Sequence, residues 1–340
     1  MLELFRSLIG DAPVSRGKFW GVTDVPPRLF NAYLGGNIAL TRTPAFLILL
    51  LWLWPLGVFA QPYLELFSAT YGYSPEASFE RSAEGTPVQN GELSLLLPIP
   101  TRKGPVLVTG LQFVSYGLQL DPESAGSTGF YALAPRIGLQ LDYGNGWQGT
   151  HVLIPRLSTA FRYARDGIQG AVANLFQKRG ESGSSFTFGL YVSRESYGWM
   201  LVPILGGYLS GEGGLWEIRL FLPAQGDINY RISDRVRAGL VFDGLGSTHD
   251  FEDSRFGQAY VQRISNDLQG YFRFELGNSL FLAVRAGYSF FRSYRVYDAQ
   301  DTAGVSLVNI FFGEPRTPLN TSVTDGLIFG VRLSYRLFFE

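Results

Sequence analysis

The chain has no cysteine, which removes disulfides, thiolate metal centres, cysteine nucleophiles and lipoprotein attachment in one step. Histidine is almost as scarce. His151 and His249 are the only two, so little is left for metal ligation or acid–base chemistry, and no metal or organic cofactor is expected. There is no basic excess either: a formal net charge of −1 supplies no field to attract nucleic acid. Finally, no apolar run reaches the about 20 residues that a spanning helix requires. The longest, Thr43 to Ala60 (TPAFLILLLWLWPLGVFA), contains Pro55 and ends in Val58-Phe59-Ala60.

That run is closer to a secretory h-region, which needs roughly 7 to 15 apolar residues before a small-x-small cleavage site. Arg42 supplies the preceding positive charge and Gln61 the mature N-terminus. We read residues 41–60 as a signal peptide, with retention as a signal anchor as the alternative. Residues 1–40 precede it without an amphipathic repeat or a capped helix. They read as a disordered extension or as the result of a start placed too far upstream. Because Met200 is the only other methionine, initiation at a non-Met codon near Leu40 would account for the second case.

What the chain does have is glycine, aromatics and alternation. It contains 41 Gly and 15% aromatic residues, while its mean hydropathy is only +0.08. Strands that show one face to lipid and hide the other produce that balance. At the C-terminus Leu327, Phe329, Val331, Leu333, Tyr335 and Leu337 are apolar, and Gly330, Arg332, Ser334 and Arg336 fall between them. The period of two repeats in Leu280 to Phe290 against Arg285, in Phe272 to Leu276 against Arg273 and Glu275, and in Ala238 to Phe242 against Arg237 and Asp243. It recurs in Trp216 to Leu222 against Glu217 and Arg219, and in Ile137 to Tyr143 against Arg136 and Asp142. Helical spacing would mix these sets.

Extended segments from Tyr63 onward number about 12, each roughly 10 to 18 residues long, which suits tilted membrane strands. The expected fold is an all-β, transmembrane antiparallel barrel over residues 61–340, with short periplasmic turns alternating with longer outer loops. The long connections are Glu76–Asn90, Asp121–Thr128, Asp166–Gly183, Leu245–Arg255 and Asp298–Val323. Between them lie Thr101–Gly104, Gly144-Asn145-Gly146, Arg194–Tyr197, Ser233–Arg235 and Gly277-Asn278-Ser279, with Ser210–Gly214 an unusually short outer loop. Within the third long connection, Gly167–Arg179 has helical spacing through Ile168, Val172, Leu175 and Phe176 and is a candidate plug. Pro98, Pro135, Pro155, Pro203 and Pro223 fall in or near strands and should mark bulges or strand ends.

The export segment, the aliphatic-Pro pairs, the aromatic end Leu337-Phe338-Phe339 and above all Gly214–Tyr230 (GLWEIRLFLPAQGDINY) resemble an uncharacterised family of Gram-negative outer-membrane β-barrels. The resemblance implies a location and a fold, not a chemistry. It implies outer-membrane lipid and the barrel-assembly machinery as partners, the latter reading the C-terminal strand; Glu340 departs from the usual terminal aromatic.

No catalytic constellation stands out. His249-Asp250 lies in an expected outer loop, without a matching acidic pair. His151 lacks a serine two residues away and reads as a packed or interfacial residue. The expected lumen-lining charges are Arg136, Asp142, Glu217, Arg219, Arg237, Asp243, Arg273, Glu275, Arg285, Arg332 and Arg336, with Asp227 and Arg231 beside them. Their arginine excess points to a passage for small hydrophilic solutes with mild anion preference, or, if they close as ion pairs across the lumen, to a non-conducting surface barrel. An envelope hydrolase is the third and weakest reading.

Overall fold

The computed structural model describes residues 63–338, except 81, 83, 103, 124–125, 161–166, 181–183 and 278. The expected extension and signal peptide, and Phe339 and Glu340, lie outside the described residues.

The strands are β1 (Tyr63–Ser78), β2 (Gly85–Pro100), β3 (Val106–Leu118), β4 (Thr128–Gly144), β5 (Trp147–Ala160), β6 (Ile168–Arg179), β7 (Ser185–Glu195) and β8 (Gly198–Ser210). They continue as β9 (Trp216–Leu222), β10 (Gln225–Ser233), β11 (Val236–Asp253), β12 (Gly257–Gly277), β13 (Leu280–Asp298), β14 (Gly304–Leu307), β15 (Ile310–Phe312) and β16 (Gly326–Phe338). From β1 to β13 each strand pairs antiparallel with the next, β13 pairs with β16, and β16 pairs with β1, closing a 14-stranded barrel. Closure matters because an open edge would leave a row of backbone N–H and C=O groups unpaired.

The outward residues are apolar. Leu93, Leu97, Ile137, Leu153, Leu205, Leu240, Phe272, Leu327 and Phe329 are exposed and belong to a belt around the barrel. A continuous band of this kind is far larger than the apolar patch a water-soluble monomer tolerates. Tyr63 pairs with Phe338, so both described ends of the chain lie at one end of the barrel, hereafter the terminal end.

Fourteen strands rather than about 12 correct the sequence expectation in two places. Gly167–Arg179 is neither loop nor helix but strand β6, paired along its length with β5 and β7. Its inner face is Gln169, Ala171, Ala173, Leu175 and Gln177, all buried; the middle three are apolar, so polar residues mark the period of two only near the strand's ends. The second missed boundary is the two-residue connection Pro223-Ala224 between β9 and β10. As a consequence the connections between these two points sit at the opposite end from that expected. Arg194–Tyr197 is at the far end, and Ser210–Gly214, a 3-10 turn over Glu212–Gly214, is at the terminal end, where its shortness is ordinary. The tight turn at Gly144-Asn145-Gly146 is as expected: all three residues have positive φ, between 52° and 77°.

None of the five prolines is at a bulge, but Pro223 directly follows the end of β9, as expected of a strand end. Pro135 and Pro155 fall opposite each other where the β4–β5 ladder is interrupted without change of register, so both missing donors share one rung. Pro98 and Pro203 lie beyond the ends of the β1–β2 and β8–β9 ladders, so no rung there needs the donor they lack.

The wall is uneven. β9 and β10 have 7 and 9 residues, whereas β11, β12 and β13 have 18, 21 and 19. Much of the expected outer loop Leu245–Arg255 is therefore β11. The tall strands bend at a register shift between Ile264 and Asn266, opposite Phe291, whose φ of 52° is rare for a bulky side chain. Beyond the bend, the β11–β12 hairpin crosses to the opposite wall, where Asp250 bridges to Thr159 of β5. In the gap left above β9–β10, β14 runs parallel to the first residues of β8.

Candidate functional site: a charged lumen beneath an inward hairpin

At the terminal end the inner face is a network of opposite charges. Glu65 accepts hydrogen bonds from Arg332 and, at 3.3 Å, from Arg336. Arg336 also lies over the Tyr63 ring at 4.2 Å, and Arg219 reaches the same ring from β9 at 4.9 Å. Glu217 pairs with Arg237 at 3.5 Å and with Arg273 at 4.0 Å, while Tyr271 donates to Asp227 at 2.6 Å. Asn229 accepts from Arg237 at 3.0 Å. Charges this deeply buried persist only when paired, because each alone costs several kcal/mol of lost hydration.

Further along, Asp243 meets Arg285 at 3.5 Å, and the buried Arg136 donates to Ser94 at 3.3 Å. Cavities of about 80 Å³ and about 50 Å³ remain here. The first is lined by Glu92, Gln112, Arg156, His249 and Arg263, the second by Asp243, Asp267, Arg285 and Arg332.

Towards the far end the hairpin tip is seated on β5 and β7. Ser158 Oγ donates to the Thr248 carbonyl at 2.6 Å, and Thr159 Oγ1 to the Asp250 carbonyl at 3.0 Å. Glu195 accepts from the Thr248 N–H at 3.1 Å and its hydroxyl at 2.8 Å, while holding Arg156 at 2.6 Å. Around them Phe251 packs edge-on to Phe130, and Tyr116 packs on both His249 and Tyr294.

His249 is thus not in a solvated loop. It is buried on β11, and its Nδ1 faces Ser158 Oγ at 2.9 Å and the Tyr131 carbonyl at 3.3 Å. Since the Ser158 proton is already directed at Thr248, Nδ1 is the donor here, which is the wrong polarity for a base that activates serine. His151 lies on the outer face, between Tyr143 Oη at 3.0 Å and Asn174 Oδ1 at 2.9 Å.

Of the expected lining residues, Arg136, Glu217, Arg219, Arg273, Arg285, Arg332 and Arg336 are buried, and Arg237 and Asp243 are half-buried. Asp142 is exposed and caps its own hairpin by accepting from the Gly144 N–H at 2.8 Å. Glu275 is half-buried near the end of β12, and Arg231 likewise on β10, opposite Arg237.

Four residues of the network went unread in the sequence. Glu65 shares parity with the exposed Phe67, Tyr71 and Tyr73, and only the register shift between Glu65 and Phe67 turns it inward. Glu195 lay in an expected turn. Arg156 and Arg263 do obey the period of two within β5 and β12, so extending the alternation test to those segments would have found them.

No family model matches the chain, and no curated protein does. Among solved structures it is similar to an outer membrane channel from Pseudomonas putida F1, at 8% identity and a TM-score of 0.43, covering 83% of this chain and 99% of that one. It is also similar to the beta domain of the Bordetella autotransporter Brka, at 10% identity and a TM-score of 0.28, covering 82% of this chain and 100% of the other.

Proposed function

We propose that this chain is an outer-membrane β-barrel forming a gated passage for small hydrophilic solutes, held shut in the described conformation by its own β11–β12 hairpin. The observation that carries the reading is the seating of the hairpin tip. It crosses the lumen and is held by the side chains of Ser158, Thr159 and Glu195, while the terminal half of the lumen beneath it is lined by charge. Hydrogen bonds of this kind are worth about 1 kcal/mol each, and the packing of Phe251 on Phe130 adds to them, so the seated hairpin dominates and open states are rare. Its buried guanidinium groups favour anions mildly. The outward belt takes acyl chains as its solvent, and β16 is the strand presented to assembly machinery. We assign no catalytic step.

Planar-bilayer recording tests the reading. The wild-type chain is expected to open rarely, and a variant with residues 247–258 replaced by a short Gly/Ser connection to open persistently, with a reversal potential on the anion side. Cation selectivity would remove the preference. A shortened variant that folds yet never conducts would instead support a non-conducting surface barrel, a reading favoured by the packing of Phe251 and Tyr116 in the far half of the lumen.

A further inference from the structure

The low wall at β9–β10 leaves an opening that the hairpin does not fill. A cavity of about 290 Å³ lies there, lined by Met200 and Val202 of β8, Leu222 of β9, Pro223 and Ala224 of the β9–β10 turn, Phe242, Gly244 and Gly246 of β11, and by Asn266, Val308 and Asn309. The parity of these residues locates it. On β8 the exposed side chains are Trp199, Pro203 and Leu205, so Met200 and Val202 are inner-face residues. On β11 and β12 the exposed ones are Leu240 and Leu268, so Phe242, Gly244, Gly246 and Asn266 belong to the outer face. One cavity touching the inner face of β8 and the outer face of β11 exists because β11 has left the circle of the wall and passed inside its neighbour.

From this geometry we infer that the cavity is a lateral binding site for a neutral, mostly apolar small molecule that enters from the bilayer. None of the eleven lining residues is charged, so neither a carboxylate nor an ammonium group would find a partner there. The mouth is level with Leu222 and Phe242, whose neighbours Leu205 and Leu268 are exposed in the apolar belt, so the approach is through hydrocarbon. The size fits: an apolar cavity of about 150 Å³ holds benzene, and this one is roughly twice that. Asn266 and Asn309 supply the only side-chain amides of the lining.

The inference rests on the membrane reading but not on gating. The test is equilibrium dialysis of naphthalene against the full chain in phosphatidylcholine nanodiscs. Saturable binding of one molecule per chain, above protein-free discs, is expected. A Cβ at Gly246 would lie 3.3 Å from Asn309 Oδ1 and 3.9 Å from Met200 Sδ, so Gly246→Phe places its ring in the cavity. Affinity should fall by at least about tenfold. Val202→Trp, filling the space from β8, should do the same if Gly246→Phe does not fold, and Leu205→Phe on the outer face should leave affinity unchanged. An inserted chain without saturable binding, or a folded Gly246→Phe or Val202→Trp chain that binds like wild type, overturns the site alone. A chain that stays soluble without lipid overturns the membrane reading as well.

Discussion

Two arcs of the same barrel present opposite inner faces. Across the middle of β5–β8 the inward residues are Val152, Ile154, Ala171, Ala173, Leu175, Tyr191, Met200, Val202 and Ile204, one apolar cluster. From β9 through β13 and on to β16 and β1 they include Glu217, Arg219, Asp227, Arg273, Arg285, Arg332, Arg336 and Glu65, with Val241, Tyr271 and Ala283 as a small apolar patch among them. The first arc is held by excluded water, as a soluble core is. The second is held by mutual compensation of charge, so each member depends on its partner. A barrel interior is therefore not one solvent, and whatever passes or binds meets different chemistry on each side.

The sharpest way to break that contrast is to put a charge into the apolar arc. Ala173 is fully buried, and Ala173→Asp should cost several kcal/mol and prevent recovery of folded barrel, read as loss of the heat-modifiable band in gels. Normal recovery would mean that this arc is wet. On the charged arc, Glu65→Ala leaves Arg332 and Arg336 without their shared carboxylate and should cost about 3–5 kcal/mol in denaturant unfolding from detergent micelles. The replacement of Glu65, Arg332 and Arg336 together by Leu, Met and Met should cost clearly less, since none of the three charges remains. Where the arcs meet, Thr248→Val removes a donor to the buried Glu195 and should destabilise by about 1–3 kcal/mol, with more frequent openings in single-channel records. Asn145→Ala at the tight turn, touching neither arc, should cost only about 1 kcal/mol, through the left-handed backbone that an alanine resists.

The same contrast explains what was readable. The strands recognised most clearly, around Arg219, Arg273, Arg285 and Arg332, belong to the charged arc, where polar and apolar residues alternate. Strand β6 belongs to the apolar arc, and with Ala171, Ala173 and Leu175 inside and Val172 and Phe176 outside, both faces look alike. Between the inward Gln169 and Gln177 period two vanishes, and Ile168, Val172, Leu175 and Phe176 fit a helix equally well. The pair β9–β10 was merged because its turn has two residues and its strands are short.

By itself the order of residues determined that extended strands with one apolar, outward side make up most of residues 63–338, because side-chain direction in a strand follows from backbone geometry alone. It also determined the tight turns, through residues that tolerate positive φ, and most of the inward arginines, through parity. Tertiary structure alone decided the rest. The inward bend at Phe291, the turning of Glu65 by a shift in register, the pairing of Ser158 with a hairpin 90 residues away and the cavity beside β8 all join segments distant in sequence. Local pattern carries no term for such contacts, which form only once the sheet has closed.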